Sequence, residues 1–239
     1  IPYMGMGNGS NILVRDNGSR GVVISIGSNM SEVQGVDNMI YAEAGALMSK
    51  IASAALGAEL SGFETLSGIP GTVGGGIYMN AGAYGGEIKS ALKNVTFISK
   101  NNDIFTMDTD QLEISYRHRI FDKNAGIQVQ CCLELKKGHK NEISAAMKEY
   151  SKRRSEKQPL SMPSAGSTFK RPEGHFAGKL IQDAGLMGFS IGGAQISTKH
   201  AGFIVNTGNA TAADVLALIE HVSKTVFAQS GIMLEPEVR

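Results

Sequence analysis

A run of nineteen residues that contains eight glycines constrains this chain more than any other feature of its sequence. The run reads GIPGTVGGGIYMNAGAYGG and extends from Gly68 to Gly86. Glycine lacks a Cβ atom, so its backbone can approach a ligand closely and can adopt positive φ. Clusters of such backbone amides form concave sites for phosphate groups, although glycine clusters also form plain turns. The run is therefore a candidate phosphate-binding loop, with a structural turn as the alternative.

A second glycine-rich loop lies near the start of the chain, from Gly5 to Asn11, and leads into the apolar stretch ILV. It resembles the dinucleotide fingerprint G-x-G-x-x-G, but Ser10 stands where the third glycine is expected. The fingerprint loop opens a helix, whereas the residues after this loop are typical of a strand. Neither loop is followed by a Walker lysine. An ordinary Rossmann domain and a P-loop NTPase are both disfavoured.

Composition and charge narrow the class of protein. The chain has 239 residues, of which 42% are hydrophobic and 19% charged, and its net charge is +1. This balance is typical of a globular protein and argues against broad electrostatic binding to nucleic acid or to anionic membranes. No apolar run approaches the roughly 20 residues that span a bilayer. The two cysteines, Cys131 and Cys132, are adjacent and form no disulfide framework, which suits the reducing cytoplasm. No Cys/His cluster has metal-ligand spacing, so we predict no metal site. We also expect the protein to be a monomer.

Strand and helix patterns are mixed along the chain. The predicted strands are residues 11–15, 22–26, 39–42, 95–99 and 127–135. Apolar spacing predicts one helix that ends at Gly57 and a second that contains Ile143 and ends before Pro159. A third helix is predicted to begin after Thr211, with Asp214 completing a capping box. Scattered strands and helices of this kind predict an α+β fold.

The stretch QPLSMP, residues 158–163, follows a charged helix end and precedes a change of pattern. Proline-rich segments of this kind mark turns and linkers. We therefore predict a domain boundary near Pro159.

Two groups of polar residues are candidates for chemistry. Ser167 is flanked by small residues and followed by Lys170 and Arg171, a combination that suits anion binding or proton transfer but also suits a solvated turn. No Gly-x-Ser-x-Gly elbow surrounds Ser167, which disfavours a serine hydrolase. Arg117 can hold a carboxylate with two hydrogen bonds, although a lone arginine is more often a surface charge. By itself, the sequence around Glu237 indicates only a solvent-facing terminus.

Taken in order, six segments resemble the UDP-N-acetylenolpyruvoylglucosamine reductase family, flavoenzymes of peptidoglycan precursor synthesis. The segments are GNGSNILV, SGIPGTVGGGIYMNAGAYGGE, YRHR, PSAGSTFKRP, IGGAQISTKHAGFIVNTGNATAADV and LEPEVR. The resemblance implies an α+β fold, with an FAD-binding domain of the vanillyl-alcohol-oxidase type and a smaller α+β substrate domain. It implies an FAD-binding region over residues 1–158 that lacks its N-terminal part, and a substrate-binding domain over 159–231. Residues 232–239 are expected to return to the FAD-binding region as a strand.

The resemblance also implies which residues hold FAD noncovalently, since both glycine loops bind the cofactor in this family. The implied cofactor contacts are Gly7, Asn8, Gly9, Ser10, Asn11, Gly68, Ile69, Pro70, Gly71, Thr72, Gly75, Asn80, Ala81 and Gly82. NADPH is the implied hydride donor. The implied substrate is UDP-N-acetyl-3-O-(1-carboxyvinyl)glucosamine, whose enolpyruvyl group becomes the lactyl group of UDP-N-acetylmuramate.

Catalytic roles carry over to three positions. Arg117 and Glu237 match the charge-stabilising residues of the family, and Ser167 matches its proton donor. Because serine is a weak acid, Ser167 requires either a strongly basic intermediate or a proton relay, and the sequence does not choose between them. The implied substrate contacts are Lys170, Arg171, His200 and Arg239.

Two departures from the family pattern are Arg119, where serine is usual, and Gly202, where asparagine is common. The short connection after Arg117 indicates the subclass that lacks a tyrosine-bearing loop. Two alternatives remain at this point: an FAD-dependent alcohol oxidase on the same fold and a flavin-binding module without catalytic activity.

Overall fold

The computed structural model describes residues 1–112, residue 114 and residues 126–239, and these residues form fifteen strands, five α-helices and four short 3-10 helices. The strands are β1 Tyr3–Met6, β2 Val22–Ser25, β3 Val33–Val36, β4 Met39–Glu43, β5 Leu60–Ser61, β6 Gly82–Ala83, β7 Gly86–Glu87, β8 Leu92–Ile98, β9 Ile104–Asp108, β10 Ile127–Glu134, β11 Lys136–Lys137, β12 Ser164–Ser167, β13 Ser190–Ile191, β14 Ala194–Ile196 and β15 Phe203–Asn206. The helices are α1 Met48–Gly57, α2 Val73–Tyr78, α3 Lys140–Lys157, α4 Ala177–Asp183 and α5 Ala212–Ser230.

The chain divides into two compact units. The first unit comprises Ile1–Asn8 and Gly21–Arg153, and the second comprises Gly9–Arg20 and Arg154–Arg239. The change from one unit to the other at Arg153 falls a few residues before the predicted joint at Pro159. The short segment Gly9–Arg20 is grouped with the C-terminal residues, which no pattern in the sequence indicates.

The first unit is built on a five-stranded antiparallel sheet with the strand order β3-β4-β10-β8-β9. The central strand β10 confirms the predicted strand at 127–135, and it places Cys131 opposite Ala42 on β4 and Val95 on β8. Those three side chains are buried in a core that also contains Ile51 of α1. The strands predicted at 39–42 and 95–99 are likewise confirmed as β4 and β8.

The first glycine loop follows β1, which pairs in parallel with β2. The strand predicted at 22–26 is confirmed as β2, but the strand predicted at 11–15 is wrong. Residues 11–15 follow a turn in which the Ile12 N–H donates to the carbonyl of Gly9 at 3.3 Å, and their pairing with the C-terminus is limited to two backbone hydrogen bonds. Apolar composition predicted extended backbone there, but too few pairings exist to form a strand.

The second unit contains an antiparallel sheet with the order β12-β15-β14-β13 and the helices α4 and α5. Its core includes Ile181 of α4 and Leu218, Val222 and Val226 of α5, all fully buried. The predicted start of α5 is confirmed, because Thr211 and its N3 partner form the capping box. Gly231 ends the helix in the left-handed conformation with φ of 72°.

The C-terminal segment pairs within the second unit. The Glu237 N–H donates to the Thr168 carbonyl at 2.8 Å, and the Lys170 N–H donates to the Glu235 carbonyl at 2.9 Å. The segment also contacts Asn11, which lies within the predicted FAD-binding region 1–158 and is grouped here with the second unit. Residues 232–239 do not form the expected strand, because their ladder pairing is limited to one bridge between Pro236 and Phe169. Within the described residues, no helix has the length and apolar character needed to cross a bilayer.

Candidate functional site

The two glycine loops meet in the first unit at Gly7 and Thr72. A Cβ atom on Gly7 would overlap the Thr72 hydroxyl oxygen. Thr72 is the N-cap residue of α2, and the same oxygen accepts from the Gly75 N–H at 3.4 Å. Because Thr72 is buried and engaged in this cap, it cannot turn away from a larger residue at position 7. Two residues that the sequence placed in one cofactor site are therefore in direct contact.

Two backbone N–H groups in the first turn of α2 donate to other parts of the protein and not to a ligand. The Val73 N–H donates to the Ala46 carbonyl at 2.8 Å, and the Gly74 N–H donates to the Ala44 carbonyl at 2.9 Å. N–H groups at the start of a helix have no intrahelical acceptor, so these two carbonyls satisfy them. Gly74 is buried against Ala44, whereas Gly75 is exposed. Close packing therefore explains why residue 74 is glycine. Gly75, which is exposed, is the better candidate for a ligand contact.

The turn before α2 is the exposed part of the run. Gly71 has φ of 127°, a conformation that residues with a Cβ atom rarely adopt. Its carbonyl accepts from the Met48 N–H at 3.1 Å, and Ile69 packs against the core. Gly68 and Pro70 are exposed between these anchors. The turn is therefore anchored to the core through Gly71 and Ile69, while Gly68 and Pro70 are exposed.

Asn80, a predicted cofactor contact, is 2% exposed and uses its side chain inside the protein. Its Nδ2 donates to Glu87 at 2.9 Å, and its Oδ1 accepts from the Lys89 N–H at 3.3 Å. Ala81 is also buried, and a Cβ atom on Gly82 would lie 2.8 Å from the Gly86 carbonyl oxygen. These three positions shape the β6–β7 hairpin, so their sequence is explained at least in part by folding.

In the second unit, the rest of the first loop lies against the C-terminus. The Asn11 side chain donates to the Glu237 carbonyl at 3.3 Å. The Arg239 N–H donates to the Asn11 carbonyl at 3.1 Å, and the Leu13 N–H donates to the Arg239 carbonyl at 2.6 Å. The Ser10 carbonyl oxygen lies 3.8 Å from the Cβ position of Gly166 on β12. A predicted cofactor residue, Asn11, therefore holds the segment that carries a predicted catalytic residue.

Thr168, the residue after Ser167, is bonded through its backbone to Glu237. The Thr168 N–H donates to the Gly202 carbonyl at 2.8 Å, and its Oγ1 accepts from the Ile204 N–H at 3.1 Å. Its carbonyl accepts from the Glu237 N–H, as described above. Ser167 ends β12 with an exposed side chain, whereas Glu237 is 7% exposed. One buried threonine thus fixes the backbone of both predicted catalytic residues.

The two cations after Ser167 have different surroundings. Lys170 forms an ion pair with Glu235 at 2.8 Å, and this hydrogen bond and the charge of Lys170 lower the pKa of the Glu235 carboxyl group. The Arg171 guanidinium lies 4.0 Å from the ring centroid of Phe176, and its Nε donates to the His175 carbonyl at 3.2 Å. Lys170 therefore meets an anionic ligand only in competition with Glu235.

His200, a predicted substrate contact, is half-buried with its ring edge toward Phe203 at 5.1 Å. Its Nδ1 accepts from the Gly202 N–H at 3.1 Å, which requires the proton of the neutral ring to be on Nε2. Burial, and then the positive charge of Lys157, lower the pKa of His200. Lys157 was not selected from the sequence, although it ends the basic stretch KRRSEK before the joint.

Comparison with known proteins agrees with this arrangement. Residues 158–239 match the family model for the C-terminal domain of UDP-N-acetylenolpyruvoylglucosamine reductase, and residues 1–108 match an FAD-binding domain. The reductase of Caldanaerobacter subterraneus subsp. tengcongensis is 51% identical over the whole chain and 79% of its own length, and that of Clostridium botulinum strain Alaska E43 is 52% identical over 78% of its length. The crystal structure of the Thermus caldophilus reductase has a TM-score of 0.88 and 37% identity, covering 100% of this chain and 85% of that one.

The chain belongs to the UDP-N-acetylenolpyruvoylglucosamine reductase family. This membership confirms the resemblance that six sequence segments carried. It also confirms the expected α+β fold with an FAD-binding domain followed by a second domain.

The first unit of this reductase fits FAD on structural grounds. Gly75 presents exposed backbone without a side chain, and Gly68 and Pro70 are exposed in the turn that contains Gly71. Close approach of a dinucleotide pyrophosphate needs backbone of this kind. The residues present are therefore compatible with the cofactor that the family model indicates.

One predicted catalytic residue of the reductase, Arg117, lies outside the described residues. The same is true of Arg119, the departure noted beside it. The proposed role of Arg117 consequently depends on the sequence alone.

Proposed function

We propose that Ser167 and Glu237 act together in the reduction of the enolpyruvyl group, with Ser167 as the proton donor. The chain is an FAD- and NADPH-dependent oxidoreductase that converts UDP-N-acetyl-3-O-(1-carboxyvinyl)glucosamine to UDP-N-acetylmuramate in peptidoglycan synthesis. Family membership therefore favours this activity over an alcohol oxidase or a non-catalytic flavin-binding module. The backbone link from Thr168 to Glu237 is the observation that supports the residue-level proposal.

The cofactor contacts in the first unit are proposed to be Gly7, Asn8, Gly68, Ile69, Pro70, Gly71, Thr72, Gly75, Asn80, Ala81 and Gly82. Gly9, Ser10 and Asn11 are the proposed contacts grouped with the second unit. When bound, FAD supplies hydride transfer from NADPH to the enolpyruvyl group. The protein must then orient the substrate, stabilise its developing negative charge and deliver one proton.

Ser167 is suited to proton delivery by its position. Its side chain is exposed at the end of β12, while the next residue, Thr168, is buried and bonded on three sides. A hydroxyl group on a fixed backbone supports a role as general acid, for which position comes before any requirement on pKa. We propose that Ser167 Oγ protonates the carbon next to the substrate carboxylate, either directly or at the end of a relay.

Glu237 is proposed to orient or protonate the developing enol. A carboxyl group with 7% exposure is costly to ionise unless charged or polar partners compensate it. Donation to an enol oxygen requires that the surroundings of Glu237 keep its carboxyl group protonated. Arg117 is proposed to bind the substrate carboxylate with its two-donor fork.

The UDP portion of the substrate is proposed to contact Lys170, Arg171, His200 and Arg239. A diphosphate binds most strongly to cations in a site with little solvent. Lys157, whose charge acts on His200, is a further candidate that the structure adds to this set. We propose residues 159–231 as the substrate-binding domain and residues 1–158 as the FAD-binding region, to which residues 232–239 return. We also propose that the protein is cytoplasmic and monomeric. Sedimentation of the FAD-loaded protein measures its mass in solution and so tests the monomer.

The mechanism is tested by separating the two half-reactions of Ser167→Ala in a rapid-mixing experiment. NADPH should bleach the flavin absorbance of the variant at the wild-type rate, because Ser167 has no proposed part in that step. Reoxidation of the flavin by the enolpyruvyl substrate should slow by about 10²-fold or more, the usual contribution of general acid catalysis. Ser164→Ala, at the other end of the same strand, is the control and should leave both rates unchanged. Equal slowing of both half-reactions by Ser167→Ala would instead indicate a structural role.

A further inference from the structure

Asp16 attaches the segment Gly9–Arg20 to the start of α5. Its Oδ1 accepts from the Ala212 N–H at 2.7 Å, and its Oδ2 accepts from the Ala213 N–H at 3.0 Å. These donors are the first two residues of α5 and have no intrahelical acceptor. A carboxylate at this end of a helix is also favoured by the helix dipole. Both oxygens of one side chain thus connect segments almost 200 residues apart in sequence.

This bridge is additional to the helix cap that the sequence predicts. Thr211 Oγ1 accepts from the Asp214 N–H at 3.1 Å, and Asp214 Oδ2 accepts from the Thr211 N–H at 3.0 Å. The capping box therefore begins α5 without help from Asp16. What Asp16 adds is a fixed attachment for Gly9–Arg20, a segment that contains no regular helix or strand.

A short stretch of backbone and then three hydrogen bonds lead from this attachment to Glu237. Three residues before Asp16, the Leu13 N–H donates to the Arg239 carbonyl, and Arg239 in turn donates to Asn11. The Asn11 side chain then donates to the carbonyl of Glu237 itself. Displacement of the segment at Asp16 would therefore be transmitted to the backbone that carries the glutamate.

We propose that Asp16 is a positioning residue for Glu237: it anchors Gly9–Arg20 on α5, and this segment sets the position of the C-terminal residues 232–239. The proposal depends on the role of Glu237 proposed above. It requires that loss of the anchor slow the step in which Glu237 acts by more than the loss of stability alone explains.

Asp214 provides a control, because it caps the same helix and its side chain accepts from Thr211 and Gly193 rather than from Gly9–Arg20. Asp16→Ala and Asp214→Ala are compared as FAD-loaded proteins with equal flavin content. Both should lower the melting temperature. Asp16→Ala alone should slow flavin reoxidation by the enolpyruvyl substrate, by about 10-fold to 100-fold for a displacement near 1 Å. The NADPH half-reaction should remain near wild type in both variants.

Amide hydrogen exchange gives a readout that does not depend on activity. In Asp16→Ala, the amides of Leu13 and Arg239 should exchange faster than in Asp214→Ala, because the pairing of Asn11 and Leu13 with Arg239 loses its anchor. Asp16→Asn keeps one acceptor and should give intermediate exchange and reoxidation rates. Identical behaviour of Asp16→Ala and Asp214→Ala would overturn the proposal. Normal reoxidation in Glu237→Gln would refute the role of Glu237, whereas a slow Glu237→Gln beside a normal Asp16→Ala would refute only the positioning role.

Discussion

Gly7 and Thr72 are packed so closely that the Thr72 hydroxyl occupies the space of a Cβ atom at position 7. The two residues are 65 positions apart and come from the two glycine loops. Because Thr72 Oγ1 also caps α2, this contact links the shape of the first loop to the start of the helix. A change at Gly7 should therefore disturb both loops.

Gly7→Ala is expected to reduce the flavin content of the purified protein. The new methyl group would displace Thr72 from its capping position, and loss of an N-cap costs about 1 kcal/mol. For a chain of this size, that loss corresponds to a fall in melting temperature of about 2–4 °C. Flavin absorbance per protein and a thermal melt measure the two effects.

Gly57→Ala is the control for this substitution. It adds the same methyl group in the first unit, at the end of α1, where no atom lies within 4 Å of the new Cβ position. Flavin content should stay at the wild-type value. Full flavin content in Gly7→Ala would show that the contact with Thr72 does not support cofactor binding.

Glu237→Gln should slow flavin reoxidation while the fold is retained. The substitution preserves shape, and the pairing of position 237 with Thr168 and Asn11 uses backbone groups. Only the ability to carry a charge or a titratable proton is lost, so we expect a decrease of about 10-fold to 100-fold in that half-reaction. Rapid-mixing absorbance and a thermal melt give the two measurements. The exposed Glu220→Gln on α5 should leave the rate unchanged, and a wild-type rate in Glu237→Gln would return this residue to a structural role.

Local patterns in the sequence were sufficient for much of the fold. The alternating residues around Cys131 gave strand β10, and Thr211 with Asp214 gave the start of α5, because each of these signals lies within a few residues. The predicted strand at residues 11–15 failed because only two backbone hydrogen bonds pair it with the C-terminus. Residue propensity does not show how many backbone partners a stretch will find.

The site shows the same division between local and distant information. Ser167 and Glu237 were selected through a family resemblance, since neither has a local signature of catalysis. Asp16 was missed because its partners, Ala212 and Ala213, are apolar residues that contribute only backbone N–H groups. No pairing of side-chain types marks such a contact in a sequence. Lys157 was missed because a basic helix end usually indicates a solvated surface.

Arg117→Lys should impair the enolpyruvyl half-reaction without altering flavin content. Lysine keeps the positive charge but lacks the planar pair of donors that binds a carboxylate bidentately. A large decrease in the rate of flavin reoxidation is therefore expected in rapid-mixing experiments. Arg119→Lys, two residues away in the sequence, is the control for a general effect of charge type. If Arg117→Lys reoxidised its flavin at the wild-type rate, a bidentate contact with the substrate carboxylate would be excluded.

His200 should make the protein less stable in mild acid. Burial and the charge of Lys157 lower the pKa of this residue from its usual value of 6.5, so the unfolded chain takes up the proton more readily than the folded one. Stability rises with pH wherever the unfolded state binds more protons. Well above pH 6.5, His200 is neutral in both the folded and the unfolded chain and does not affect the free energy of unfolding. As the pH falls from 6.5 toward the lower pKa of His200 in the folded protein, stability is lost.

His200→Asn should remove this part of the pH dependence. Asparagine Oδ1 lies near the position of histidine Nδ1, so it can still accept from the Gly202 N–H, but it does not titrate. Melting temperatures are measured about one pH unit above and one below the usual histidine value. The decrease between them should be smaller in His200→Asn than in wild type, and the exposed His175→Asn serves as the control. An equal decrease in wild type and His200→Asn would mean that His200 does not protonate on unfolding in this range, which would contradict the buried, neutral ring that the Gly202 hydrogen bond indicates.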